Sequence, residues 1–153
     1  REEYAKAREV ERYGYIHFST HGILDSKFQA IALSQIPGDQ EDGMLTLGEI
    51  MNCKYNAQLV VLSACQTGLG PMERGEGVTG LTRAVMYAGS SAAVVSLWSV
   101  SDDGTKELMV KFYENMVKQR MTKSAALRSA KLAMLQTQYQ HPFYWAAFVM
   151  YGE

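Results

Sequence analysis

The sequence predicts an α/β domain with a mostly parallel sheet, and three observations carry that reading. Residues 58–64 and 92–100 each hold a continuous apolar run bounded by polar residues, the pattern of strands buried on both faces. Stretches of helical periodicity alternate with these strands, as in layered α/β folds. The chain has 153 residues, 47% of them hydrophobic, which is one domain's worth of polypeptide with enough apolar material for one core.

The elements follow in order. Residues 2–12 are rich in Ala, Glu, Lys and Arg with no Gly or Pro, and read as a helix touching its neighbours through Tyr4, Ala7 and Val10. Residues 13–20 are aromatic and branched, and predict a strand ending near Thr20. Two short apolar pieces, 30–34 and 44–45, flank the turn-rich run Pro37-Gly-Asp-Gln-Glu-Asp-Gly43, which suggests a small hairpin. Thr46-Leu-Gly-Glu49 matches a capping box and should start a short helix reaching about Cys53. After the 58–64 strand comes a glycine-rich loop. Next is a helix over 77–88 with Val78, Leu81, Val85 and Met86 in line and Gly89 as its stop. The 92–100 strand leads into Ser101-Asp-Asp-Gly104, which opens a helix over 103–119 with Leu108, Phe112 and Met116 in line. A further helix over 123–138 buries Ala126, Leu127, Ala130, Ala133 and Met134, and residues 144–150 form a terminal strand.

Charge and cysteine content exclude several functions. There are 15 Lys+Arg against 16 Asp+Glu, a formal net charge of -1. General nucleic-acid binding rests on phosphate neutralisation by a basic face, so direct binding of nucleic acid is not expected. The longest apolar run, 143–151, is about half the roughly 20 residues a membrane span needs, so no membrane partner is expected. Cys53 and Cys65 form no Cys-x-x-Cys pair, which argues against a zinc knuckle or a disulfide framework and suits the cytoplasm. The chain begins at Arg1 rather than Met, as a segment of something longer would.

In open α/β sheets, ligands bind beyond the carboxyl ends of the strands. His21, Cys65 and Asp102 all fall just past a predicted strand end. Cys65 could be a nucleophile if a nearby base raises its thiolate fraction, and His21 is the nearest candidate by topology. Composition alone would also allow a buried, inert thiol. The local run Ser63-Ala-Cys-Gln-Thr-Gly68, with Gly70 beyond, favours the reactive reading: glycines let a substrate backbone approach. The amides of Gly22 and Cys65 are the candidate oxyanion donors. Cys53, between Asn52 and Lys54 at a helix end, reads as structural. Asp102 and Asp103 are ordinary helix-start residues, and the alternative is that Asp102 lines a substrate pocket and selects a basic side chain.

Other motifs carry less. His17 and His21 stand four apart, a metal pair on a helix, but the local composition is that of a strand. Four strand residues span about 13 Å, too far for one ion, so no metal is expected and His17 should pack on a sheet face. His141, before Pro142, reads as structural or capping. Gly75-Glu-Gly-Val-Thr-Gly80 fits a dinucleotide fingerprint with Asp102 as its acid. The loop 65–74 separates it from the preceding strand, however, and no phosphate-binding P-loop occurs, so no cofactor is expected.

Five ordered motifs together resemble the CHAT domain, a caspase-like peptidase family often joined to tetratricopeptide repeats. They are His17-Phe-Ser-Thr-His-Gly22, Leu59-Val-Val-Leu-Ser-Ala-Cys-Gln-Thr-Gly-Leu-Gly70, the run from Gly75 to Gly89, Ser96-Leu-Trp-Ser-Val100, and His141-Pro-Phe-Tyr-Trp-Ala-Ala-Phe148. The resemblance runs from about residue 13 onward. It implies a caspase-like three-layer α/β/α sandwich and cysteine endopeptidase chemistry, with His21 as the catalytic histidine and Cys65 as the nucleophile. Trp98-Ser-Val-Ser-Asp102 also looks like a separase motif whose last Asp is associated with a basic P1 residue, which falls on Asp102. The family fold normally begins with a further strand and helix, so a strand before residue 1 is expected to be missing from this chain.

The resemblance therefore implies a protein substrate, with a repeat or sensor domain in the same or a partner chain as activator. Some relatives act in bacterial defence in this way. The alternative reading is a catalytically silent interaction module within a larger assembly.

Overall fold

Alternation along two apolar strands builds the centre of the molecule. In the computed structural model of the chain, residues 1–24, 28–63, 65–66 and 74–153 are described, with the backbone alone at residues 24, 65, 66 and 74–78. Strands β1 (Tyr15–Phe18), β5 (Leu59–Leu62), β7 (Ala92–Ser96) and β8 (Phe148–Gly152) form one sheet in the order β1-β5-β7-β8. The first three run parallel, and β8 closes the sheet antiparallel to β7. Every residue of β5 and β7 is buried, as their unbroken apolar runs predict.

Both faces of this sheet are covered. Val60 and Leu62 of β5 point one way, against Ile50 of helix α2 (Leu47–Asn52) and Leu81, Ala84 and Val85 of helix α3 (Arg74–Tyr87). Leu59 and Val61 point the other way. They meet Leu108, Phe112 and Met116 of α4 (Asp102–Val117) and Ala126, Ala130 and Met134 of α5 (Lys123–Met134). The result is the expected three-layer α/β/α sandwich with a mostly parallel sheet. Burial of these faces, at about 25 cal/mol per Å² of apolar surface, is the main drive for the assembly.

A second sheet, absent from the sequence reading, sits beyond the carboxyl ends of β1 and β5. Its order is β4 (Met44–Thr46), β3 (Gln29–Ala32), β2 (His21–Leu24), β6 (Cys65–Gln66). The expected hairpin is the antiparallel pair β3–β4. The predicted strand to Thr20 stops at Phe18 and resumes at His21, because the chain changes sheets between them. There the Thr20 hydroxyl donates to the Ala32 carbonyl of β3.

Local signals hold where they are self-contained. Thr46 and Glu49 make the full capping box at the start of α2. Gly89 ends α3 with φ +103, a conformation that favours glycine, and a Cβ there would meet Asn56 Oδ1 at 2.8 Å. Four boundaries need correction. The helix read over 2–12 is α1 (Glu2–Lys6) followed by a 3-10 turn, Arg8–Arg12, with Ala7 extended between them. Glu2 and Ala5 are its buried residues, Val10 packs on the core as expected, and Tyr4 is exposed. An ion cluster anchors this segment: Lys6 Nζ donates to Glu2 at 3.0 Å, to Glu49 at 3.0 Å and to Glu41. The strand read over 92–100 ends at Ser96, and α5 ends at Met134 rather than 138. The last strand begins four residues late, after a 3-10 turn at Pro142–Tyr144 whose proline cannot join a ladder as donor.

Candidate active site

Two strands carry the candidate dyad, and they keep one offset throughout. In the first sheet Tyr15 stands opposite Leu59 and Phe18 opposite Leu62. After both chains cross to the second sheet, His21 stands opposite Cys65 and Gly22 opposite Gln66, again 44 positions apart. Neighbouring strands lie about 4.8 Å apart, so the backbone alone brings His21 and Cys65 side by side. Gly22 is flanked on its other side by Ile31 of β3. The glycine-rich run with Gly68 and Gly70 lies outside the described residues.

His21 is exposed and lines a cleft of about 760 Å³ between the strand ends and α4. Asp102 lines the same cleft, so the structure brings these two predicted residues to one opening. Asp102 is the first residue of α4, directly after the N-cap Ser101, whose hydroxyl accepts from Gly104 N at 3.3 Å. The ordinary helix-start role and the cleft position therefore coexist in one residue. Along α4 the cleft is lined by Asp102, Lys106, Met109, Tyr113 and Glu114. At 1.5 Å per residue that wall is roughly 18 Å long. Its carboxylates, Asp102, Asp103 and Glu114, outnumber its one ammonium, Lys106.

His17 is on a strand, as read, and its ring stands in the wall of the cleft against Tyr113 of α4. Tyr113 Oη donates to His17 Nδ1 at 3.1 Å. His17 Nε2–H donates to Ser63 Oγ at 2.8 Å, and Ser63 spends its own proton on the Phe18 carbonyl at 3.3 Å. The tautomer is assigned from this chain of partners, since a carbonyl can only accept. His17 keeps part of its surface in solvent, but loss of water on the side facing Tyr113 and Ser63 lowers its pKa from the ordinary value, which favours the neutral imidazole the network needs. Burial pushes the Tyr113 hydroxyl up to about 12, so it stays a donor. The network joins β1, the end of β5 two residues before Cys65, and the helix that carries Asp102.

Sequence reasoning missed Tyr113, Ser63 and Lys106. The signal was present for the helix: 102, 106, 109 and 113 share one face at helical spacing. Cys53 behaves as read, with its thiol donating to the Glu49 carbonyl at 3.3 Å and burial raising its pKa. His141 caps the turn after it, its Nδ1 accepting from Phe143 N at 3.2 Å. The fingerprint glycines 75–80 lie inside α3, not at a strand-to-helix turn, which removes the backbone cradle a dinucleotide needs. Among the described residues, one carboxylate trio could hold a metal ion, Glu2, Glu41 and Glu49, and the Lys6 ammonium already bonds to all three. No described helix is long and apolar enough to cross a membrane.

Comparison with known proteins agrees with the architecture. The model of the CHAT domain family matches residues 1–153. Human tetratricopeptide repeat protein 28 is 28% identical over 130 residues, covering 85% of this chain and 5% of that protein. The mouse protein of the same name is 28% identical over 109 residues, covering 71% of this chain and 4% of that protein. This chain thus corresponds to a small fraction of the curated relatives it matches.

Proposed function

This chain belongs to the CHAT domain family, and we propose from that premise that it is a cysteine endopeptidase domain working through His21 and Cys65. The observation that supports this most is the register of β2 on β6, in which His21 and Cys65 are direct partners. A silent interaction module would share the ladder but has no need of an imidazole and a thiol at its partnered positions, so that pair favours catalysis.

The chemistry runs as follows. His21 accepts the Cys65 proton or holds the thiolate in an ion pair. The thiolate attacks the scissile carbonyl, and the resulting oxyanion is met by the backbone amides of Gly22 and Cys65. Collapse of the tetrahedral intermediate breaks the C–N bond, with His21 returning the proton to the leaving amine. Water then hydrolyses the acyl-enzyme. The roughly 18 Å wall along α4 suits about five residues of extended substrate at 3.3 Å each. The acidic excess of that wall favours a basic peptide, with Asp102 receiving Arg or Lys at P1. A lone nucleophilic thiol suits the cytoplasm, where thiols stay reduced. Because the relatives are named for tetratricopeptide repeats, an attached repeat domain is the proposed activator.

The test is Cys65→Ala. Cleavage of a peptide library by the wild-type chain should vanish in the variant, while the circular-dichroism spectrum and melting stay unchanged. Retained cleavage in Cys65→Ala would refute the assignment.

A further inference from the structure

Helix α5 shows the sheet one stripe and presents a second elsewhere. Ala126, Leu127, Ala130 and Met134 are in the core. Ser124, Arg128, Lys131, Leu132 and Leu135 follow the same three-and-four spacing on an adjoining face. Leu132 and Leu135 are 49% and 40% exposed. This face and the side chains of Trp145 and Met150 line a groove of about 380 Å³. The Trp145 indole nitrogen is already committed to the Gln140 carbonyl at 3.2 Å, which fixes the ring with its apolar surface on the groove. The groove shares no residue with the His21 cleft.

Its charge is one-sided. Arg128 and Lys131 line it and no carboxylate does. The whole of α5 carries Lys123, Arg128 and Lys131 and no acid, in a chain whose net charge is -1. Among the described residues, neither Arg128 nor Lys131 forms an ion pair. Lys131 is half-buried, and the loss of water around it lowers its pKa. A cation in the last turn suits the helix dipole, but that does not account for two open leucines beside it.

We propose that this groove is a docking site for an acidic amphipathic helix of a protein partner. Leucine-type side chains of that helix would enter between α5 and Trp145, and its Glu or Asp residues would pair with Arg128 and Lys131. Helix-in-groove recognition takes this form, with anchors at i, i+3, i+4 and i+7. Charge complementarity selects the partner, because a basic helix would leave Lys131 facing a like charge. A lipid surface fits less well, since the apolar residues line a groove and not a protruding face.

The experiment uses a labelled synthetic helical peptide of roughly 18 residues, with Leu in a stripe and Glu flanking it, and a twin with Lys for every Glu. Anisotropy should show the Glu peptide binding the chain about tenfold or more tightly than its twin, less so as salt rises. Arg128→Glu with Lys131→Glu should reverse that order. Leu132→Asp, at a half-exposed site, should weaken both while leaving the circular-dichroism spectrum unchanged. Equal binding of the two peptides, binding of neither, or failure of the double variant to reverse the order would overturn the proposal. So would binding to phosphatidylserine vesicles with no peptide bound, or self-association of the chain that Leu132→Asp abolishes. None of these outcomes depends on whether Cys65 is catalytic.

Discussion

His17 Nε2 lies 2.8 Å from Ser63 Oγ, so the strand that leads to His21 and the strand that leads to Cys65 are stitched by side chains as well as by their ladder. Tyr113 completes the link to α4 from the other ring nitrogen. A protonated His17 would have two N–H donors, and Tyr113 would have to give up its own donation to meet them.

Stability should therefore respond to pH through His17. Its folded pKa is depressed, so the unfolded chain takes up a proton first as pH falls below about 6.5. Stability contributed by the neutral ring is complete above that pH and is lost as pH falls toward the folded pKa. Glu2 acts with opposite sign, since burial raises its pKa and the folded chain takes up that proton first. Glu49, held at about 2, weakens the fold only below its ordinary value near 4.5. Urea midpoints for wild type and His17→Gln between pH 5 and 8 isolate the His17 part. The wild-type curve should fall more steeply toward pH 5, and parallel curves would contradict the assignment.

The Lys6 cluster should matter to stability more than most surface ion pairs. Glu2 has 1% of its side chain exposed and depends on Lys6 and on the Gly43 amide, which donates to it at 2.8 Å. Lys6→Met leaves that carboxylate without its cation, a loss of about 1–3 kcal/mol. A second change, Glu2→Gln, should recover part of the loss, because the group then left buried is neutral. Urea denaturation of the single and double variants measures both. Full additivity of the two losses would show that the residues do not act together.

How legible this molecule was depended on whether the deciding interaction was local. Leu59–Leu62 and Ala92–Val95 announce themselves because strands buried on both faces need apolar residues at successive positions. The capping box at Thr46 and the stop at Gly89 each need only a few neighbouring residues. The anchoring of the first helix was invisible, because Lys6 reaches Glu41 and Glu49 across more than thirty positions. The shift of the chain from one sheet to the other after Phe18 was equally hidden, since Ser19 and Thr20 carry no turn signal of the Gly or Pro kind. Of the candidate site residues, His21 and Asp102 share one cleft, although the strand before Asp102 ends earlier than expected, at Ser96. Tyr113 was not legible, because its use depends on α4 packing against His17 from ninety-six positions away.

Substrate selection should follow the acidic wall. If Asp102 receives the P1 side chain, a peptide library cleaved by the wild-type chain should be enriched in Arg or Lys at that position. Asp102→Asn should reduce kcat/KM for such peptides about tenfold or more while sparing apolar ones, the scale of losing a charged partner. Because Asp102 is exposed at the helix start, melting should change little. A wild-type profile dominated by apolar P1 residues would remove this role and leave the dyad standing.

The pairing of imidazole and thiol is tested most directly by the rate of Cys65 alkylation with iodoacetamide across pH, in wild type and His21→Ala, with Cys53 replaced by Ala in both. An isolated thiol titrates near 8.5. Wild type should react well below that pH, and His21→Ala should move the profile up toward it. Superimposable profiles in the two proteins would contradict the account.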